Sequence, residues 1–266
     1  MDRPSNPFVF TKKTVFMQRL SDAMVHGAVR YIQGTVPVLK AGAFASKMTQ
    51  RYDCDLTPAQ ASRKRKAGYA TAKLYFWYPQ KGDADVHWIL FITEGELKDG
   101  VGADEKWRDP TNHKERVTIT NYVLVNIPTT FGLPRWSWRY TRASFDGLCY
   151  DIVNTIRSKH DERLRQLIYS LYRSPSFSGI REQVKKAATL IEAEWQRTRG
   201  SKETMPDIPK FKGYVRRLPD KGVRLAAIKV QLAKRETLAT DDDMRRFYDN
   251  HDDYDEGDDE NANEAK

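Results

Sequence analysis

The sequence predicts an α+β fold: an antiparallel sheet with packed helices (residues 15–142), a three-helix segment packed on it (143–200), a basic arm (201–240) and a disordered acidic tail (241–266). Strand-period segments gather between residues 72 and 141 and helix-period stripes gather after residue 144, so the two types segregate instead of alternating as in a doubly wound sheet. Charge is sorted too. Residues 241–266 hold twelve acidic and three basic residues, a net of −9, which leaves 42 of the 45 Lys+Arg and 24 of the 36 Asp+Glu before them, a net of +18. Hydrophobic content of 39% with 11% aromatics supplies the core of a folded body.

Each element has its own signal. Residues 1–14 read as a polar, Pro-containing lead, and Val15–Met24 as a short helix. Val29–Val36 alternates in strand fashion and stops at Pro37. Ala41–Tyr52 suits a helix with Phe44, Ala45, Met48 and Tyr52 on one face, and Thr57-Pro58 starts another, Thr as N-cap and Pro at the first turn, running to Ala67. Ala72–Tyr78 and Val86–Thr93 read as strands joined by a turn at Lys81-Gly82-Asp83. Glu94–Asn112 reads as loop, then Arg116–Ile127 and Arg135–Thr141 as strands, the latter placing Trp136 and Trp138 on one face as core.

From Ser144 the period changes. Phe145, Leu148, Cys149, Ile152, Val153 and Ile156 recur at helical spacing, as do Leu164, Leu167, Ile168, Leu171 and Tyr172. Ile180, Val184, Ala187, Ala188, Ile191 and Trp195 form the third stripe, with Ser178 expected as N-cap. Beyond Gly200 the prolines Pro206, Pro209 and Pro219 punctuate a basic linker, and Val223–Lys234 is a short helix candidate.

Several classes are disfavoured. Two distant cysteines, Cys54 and Cys149, give neither a disulfide framework nor a zinc knuckle, so a reducing cytoplasm is expected. The first residues lack a secretory pattern, and no apolar run approaches the roughly 20 residues that cross a bilayer, so no membrane partner is expected. No phosphate-cradling glycine loop and no His-x-His pair occur; no cofactor, metal or catalytic residue is assigned.

A body this cationic repels itself unless a polyanion is its neighbour. The densest run is Arg63-Lys64-Arg65-Lys66, followed by Tyr69, Lys73, Tyr75 and Trp77; the cations read as phosphate contacts and the aromatics as core. In the third helix Arg181, Gln183, Lys185 and Lys186 lie off the apolar stripe, where a groove-reading face competes with an ordinary polar helix surface. The linker adds Lys202, Lys210, Lys212, Arg216, Arg217, Lys221, Arg224, Lys229, Lys234 and Arg235, interrupted by Phe211 and Tyr214. It reads either as an arm along a phosphate backbone or as a segment held by the acidic tail. Two rivals stay open: a metal-dependent nuclease using Asp85, Glu96 and Lys98, and a protein-interaction adaptor.

The segments Arg30-Tyr31-Ile32-Gln33-Gly34-Thr35-Val36-Pro37, Thr57-Pro58-Ala59-Gln60, His87-Trp88-Ile89-Leu90-Phe91-Ile92-Thr93 and Ser178-Gly179-Ile180-Arg181-Glu182-Gln183-Val184 resemble uncharacterised proteins carried on bacterial conjugative plasmids and integrative elements, across about residues 28–200. The resemblance implies a setting in replication, maintenance, transfer or defence of a mobile element and carries over no catalytic residue. The expectation is a nonenzymatic nucleic-acid-binding accessory protein, with DNA favoured as partner and the acidic tail as a second, protein-binding element.

Overall fold

A computed structural model of the protein describes residues 5–79, 83–129, 132, 134–200, 203–210 and 212–237, and these described residues form two sheets and seven α-helices. The expected turn residues Lys81 and Gly82, Lys202, Phe211 and the acidic segment from Asp241 lie outside the described residues. The larger sheet contains β1 (Phe8–Phe10), β2 (Ala28–Pro37), β3 (Ala72–Trp77), β4 (Asp85–Thr93) and β8 (Gly222–Arg224), in the order β2-β4-β3-β1-β8. The smaller sheet, β5 (Thr118–Ile119), β6 (Tyr122–Ile127) and β7 (Arg135–Tyr140), is antiparallel.

The α+β class holds, with one correction: the larger sheet is mixed. β2, β4 and β3 pair antiparallel, but β1 runs parallel to β3 and antiparallel to β8. The polar lead therefore contains an interior strand, Phe8-Val9-Phe10, with Val9 wholly buried. β8 comes so close to β1 that a Cβ on Gly222 would lie 2.1 Å from the Val9 carbonyl oxygen.

The helices form where their stripes place them. α1 (Lys13–Val25) lies over one face of the larger sheet, and α2 (Ala41–Tyr52) lies over the other, where α7 (Leu225–Thr237) also packs. α3 (Pro58–Lys66) has Thr57 as N-cap, as expected, and adds a capping box: the Gln60 N–H donates to Thr57 Oγ1, and Gln60 Oε1 accepts from the Thr57 N–H. α4 (Arg142–Arg157), α5 (Asp161–Arg173) and α6 (Ser178–Thr198) pack beyond the smaller sheet and share one hydrophobic cluster with α1 and the larger sheet. No described helix is long and apolar enough to cross a membrane.

Trp138 is the centre of that cluster. Its ring is wholly buried, and its indole N–H donates to the Met17 carbonyl at 3.0 Å and to Ser21 Oγ at 2.9 Å, fastening α1 to β7. On the other side α6 meets β7 through Gly179, where a Cβ would stand 2.6 Å from both the Trp138 carbonyl oxygen and Arg139 Cγ. Ser178 is the first helical residue and not the N-cap. The cap position is Phe177, and Ser137 from β7 accepts from the Gly179 N–H at 3.2 Å and from the Ser178 hydroxyl at 2.8 Å. Tertiary contact here replaces the local cap.

Candidate nucleic-acid interface

The cations expected to meet phosphate fall into three groups. α3 is nine residues long and buries none of them, so core packing does not account for its helical state. A helix that short is marginal alone. The capping box holds its start, and its last turn, Arg63-Lys64-Arg65-Lys66, sits at the negative end of the helix dipole where cations are favoured. Lys64 turns back to the body and pairs with Asp53 at 2.6 Å, and Arg65 donates to Thr71 Oγ1 at 3.3 Å. Arg63 and Lys66 are exposed with no ion pair to a described residue.

Lys73 extends this group. It lies on β3 two residues past Thr71, is exposed, and holds its ammonium 5.4 Å from the Tyr75 ring centre. Tyr75 and Trp77 are buried core, as expected, whereas Tyr69 keeps 41% of its surface beside the cations.

The second group lies on α6. Gln183 does not read a groove: its side-chain oxygen accepts from the Tyr140 N–H at 2.7 Å, and its amide donates to the Tyr140 carbonyl at 3.4 Å, completing the end of β7. Arg181 donates from Nε to the Lys212 carbonyl at 2.9 Å and sets its guanidinium 3.7 Å from the Tyr214 ring centre. Lys185 and Lys186 are exposed, Lys186 pairing with Glu182 at 3.2 Å. The groove-reading face is thus corrected to two lysines on a helix whose opening turns are anchored inward.

The third group corrects the extended arm. Residues 203–221 form a strap tied across α5, α6 and α1. Gln18 on α1, itself buried, donates to the Arg216 carbonyl at 2.7 Å and accepts from the Leu218 N–H at 3.2 Å. Arg217 pairs with Asp22 at 2.6 Å, and Arg19 bonds both Asp220 and the Leu218 carbonyl. Lys212 is 8% exposed and donates its ammonium to the carbonyls of Tyr172 and Ser174, so it is a strap anchor and not a phosphate contact. The overlooked signal is apolar: Met205, Ile208, Val215 and Leu218 recur among the cations and pack against the main cluster.

The strap nevertheless brings separated cations together. Arg181, Lys185, Lys210 and Lys212 line one groove of about 480 Å³ between α6 and the strap, with Glu192 the only carboxylate among the described residues of its wall. Among the predicted contacts, Arg63, Arg65, Lys66, Lys73, Lys185, Lys210 and Arg216 are exposed without an ion pair to a described residue. Lys64, Lys186 and Arg217 have carboxylate partners.

Burial, with Arg181 nearby as a lesser cause, lowers the Lys212 ammonium to about 8. A lysine whose folded value lies below its unfolded one weakens the fold most when both states are protonated. That penalty is relieved as pH rises through 8 toward 10.5. The stability of the wild type relative to Lys212→Met is therefore expected to increase between pH 8 and 10, by no more than about 1.4 kcal/mol per pH unit, in paired urea titrations. A flat difference would show that the ammonium is not held this way.

The nuclease set does not assemble. Asp85 opens β4, and Glu96 follows its far end, where its backbone bridges Tyr69. The eight steps of β4 alone separate the ends by about 26 Å, so Asp85 and Glu96 cannot share a metal ion with Lys98 beside it. No protein-family model matches this chain, and no curated protein or solved structure matches it either.

Proposed function

We propose that the protein binds nucleic acid, DNA first, through its cationic surface, and does so without catalysing a reaction, as an accessory factor of a mobile genetic element in replication, maintenance or transfer. The observation that carries the reading is α3: a helix that buries no side chain, held by its own cap and ending in four consecutive cations. A segment with no share in the core and a concentrated charge has its use at the surface, and phosphate is the counter-charge that suits it. The +18 net charge of residues 1–240 supports the same partner, and the likeness to proteins of conjugative elements supports the setting.

Titration with duplex DNA, single-stranded DNA and RNA across a salt series tests it. Binding whose logarithm falls steeply with the logarithm of salt concentration supports phosphate neutralisation, with a slope of about −0.9 per contact on duplex. Affinity indifferent to salt, or no binding to any of the three, overturns it. The residues from Asp241 onward, net −9, compete with phosphate for the same cations. Truncation after Thr240 is expected to tighten binding at low salt and to lose that effect at high salt; equal affinity at low salt would remove the competition.

A further inference from the structure

A second cleft, of about 770 Å³, opens between the first turn of α1, the paired ends of β6 and β7, α4 and α5. It shares no lining residue with α3 or with the groove between α6 and the strap. Its size falls within the roughly 300–1,000 Å³ of small-ligand sites.

The wall combines rings, of which Tyr122 is only 4% exposed, with the cations Lys13 and Arg173 and the carboxylate of Asp151. Tyr122 and Tyr140 are cross-strand partners with ring centres 4.9 Å apart. Lys13, from α1, holds its ammonium 5.1 Å from the Tyr122 ring centre. It makes no ion pair with any described residue, and burial lowers its pKa with no opposing charge to restore it. A half-buried cation balanced only by a ring face is a standing cost that an anion in the cleft would remove. The first turn of α1 adds to it: that turn has neither a side-chain cap nor an acidic residue. Across the cleft Arg173 lies 5.0 Å from the centre of the Tyr169 ring and donates to its hydroxyl, while Tyr169 stays 61% exposed at the rim.

Gly147, exposed on α4, lines the cleft without a side chain. It stands inside α4, where glycine costs about 1 kcal/mol relative to alanine. A Cβ there would meet nothing within 4 Å, and its backbone is ordinary helix, so neither packing nor conformation explains the glycine. A side chain there would enter open space at the cleft wall.

We propose that this cleft binds a nucleotide, the base stacked on the exposed ring of Tyr169 at the rim and the phosphate at Lys13 and the opening turn of α1. Rings alone would suit any flat apolar molecule and cations alone any anion; a base joined to a phosphate uses both. The ligand chemistry is the same for a free nucleoside monophosphate and for the phosphorylated end of a strand.

Isothermal titration of the full chain with AMP, dAMP, adenosine and inorganic phosphate, and with a short oligothymidine bearing a 5′-phosphate or a 5′-hydroxyl, separates these sources. Saturable binding of a monophosphate tighter than both adenosine and phosphate indicates the free ligand. Binding confined to the 5′-phosphorylated strand indicates a strand end. In either case Gly147→Phe, which fills the cleft without removing a contact, and Lys13→Met are each expected to weaken binding by about 10-fold or more, the size of a charge-assisted hydrogen bond. Thermal melting reports whether each variant folds, and Lys13→Met decides alone if Gly147→Phe does not. Charge removal on α3 leaves this binding in place, which separates the cleft from the proposed phosphate surface. No saturable binding of any nucleotide or strand end, or binding unchanged in the folded variants, overturns the proposal.

Discussion

Replacing Arg63, Arg65 and Lys66 together with alanine is expected to weaken nonspecific DNA binding by on the order of 50-fold at low salt and to make the salt slope shallower by nearly three. The size follows from sharing a nonspecific affinity of about 10⁻⁴–10⁻⁶ M among 6 to 10 phosphate contacts, three of which are removed. Lys64 is kept because its partner is Asp53. Since α3 buries nothing, the triple variant should melt within the small range of surface substitutions. That stability makes the result interpretable: lost affinity with an unchanged melt assigns the contacts to α3, and retained affinity with an unchanged slope removes α3 from the interface. If Lys185→Ala and Lys210→Ala reduce binding in its place, the phosphate path runs through the groove between α6 and the strap.

Trp138→Ala is expected to lower unfolding free energy by about 3–5 kcal/mol. The indole is wholly buried, its N–H bonds Met17 and Ser21 on α1, and its ring centre lies 6.4 Å from that of Phe177 ahead of α6. One side chain therefore joins three elements distant in sequence, and truncation leaves a cavity between layers that α1 and α6 cannot close without giving up their own contacts. Trp138→Phe keeps most of the apolar volume and loses the donor, so a smaller loss is expected from it. Chemical denaturation of the three proteins measures both. A change below about 1 kcal/mol for the alanine variant would place the centre of the core elsewhere.

Local signals proved legible and non-local ones did not. Ala41–Tyr52 could be bounded from its stripe, and Thr57-Pro58 from its cap chemistry, because both depend on neighbours within one or two turns. The stripes of α4, α5 and α6 were readable for the same reason. β1 was not, since three apolar residues behind Pro7 have no period to detect, and their partners are Phe76-Trp77 and Gly222–Arg224. The strap is hidden by its own charge: ten basic residues run from Lys202 to Arg235, and the four apolar anchors among them follow no helix or strand period.

The candidate site divides along the same line. That a phosphate-seeking surface exists follows from net charge. Which cations are committed to internal carbonyls, as Lys212 is, or to a strand end through a neighbour, as near Gln183, depends on tertiary contacts. The cleft was illegible because Lys13, Tyr122, Gly147 and Tyr169 come from four elements. Its single trace in the sequence was a glycine inside a helical stripe.

The pairing of β1 with β8 has a consequence for biosynthesis. Phe8–Phe10 is translated more than 200 residues ahead of Gly222–Arg224, so one of its two hydrogen-bonded edges has no mate until that segment is made. The nascent chain must carry an open apolar seam while the intervening residues are made, and closure of the larger sheet is a long-range event. Arrested chains that stop before Gly222 should consequently be the ones that chaperones hold.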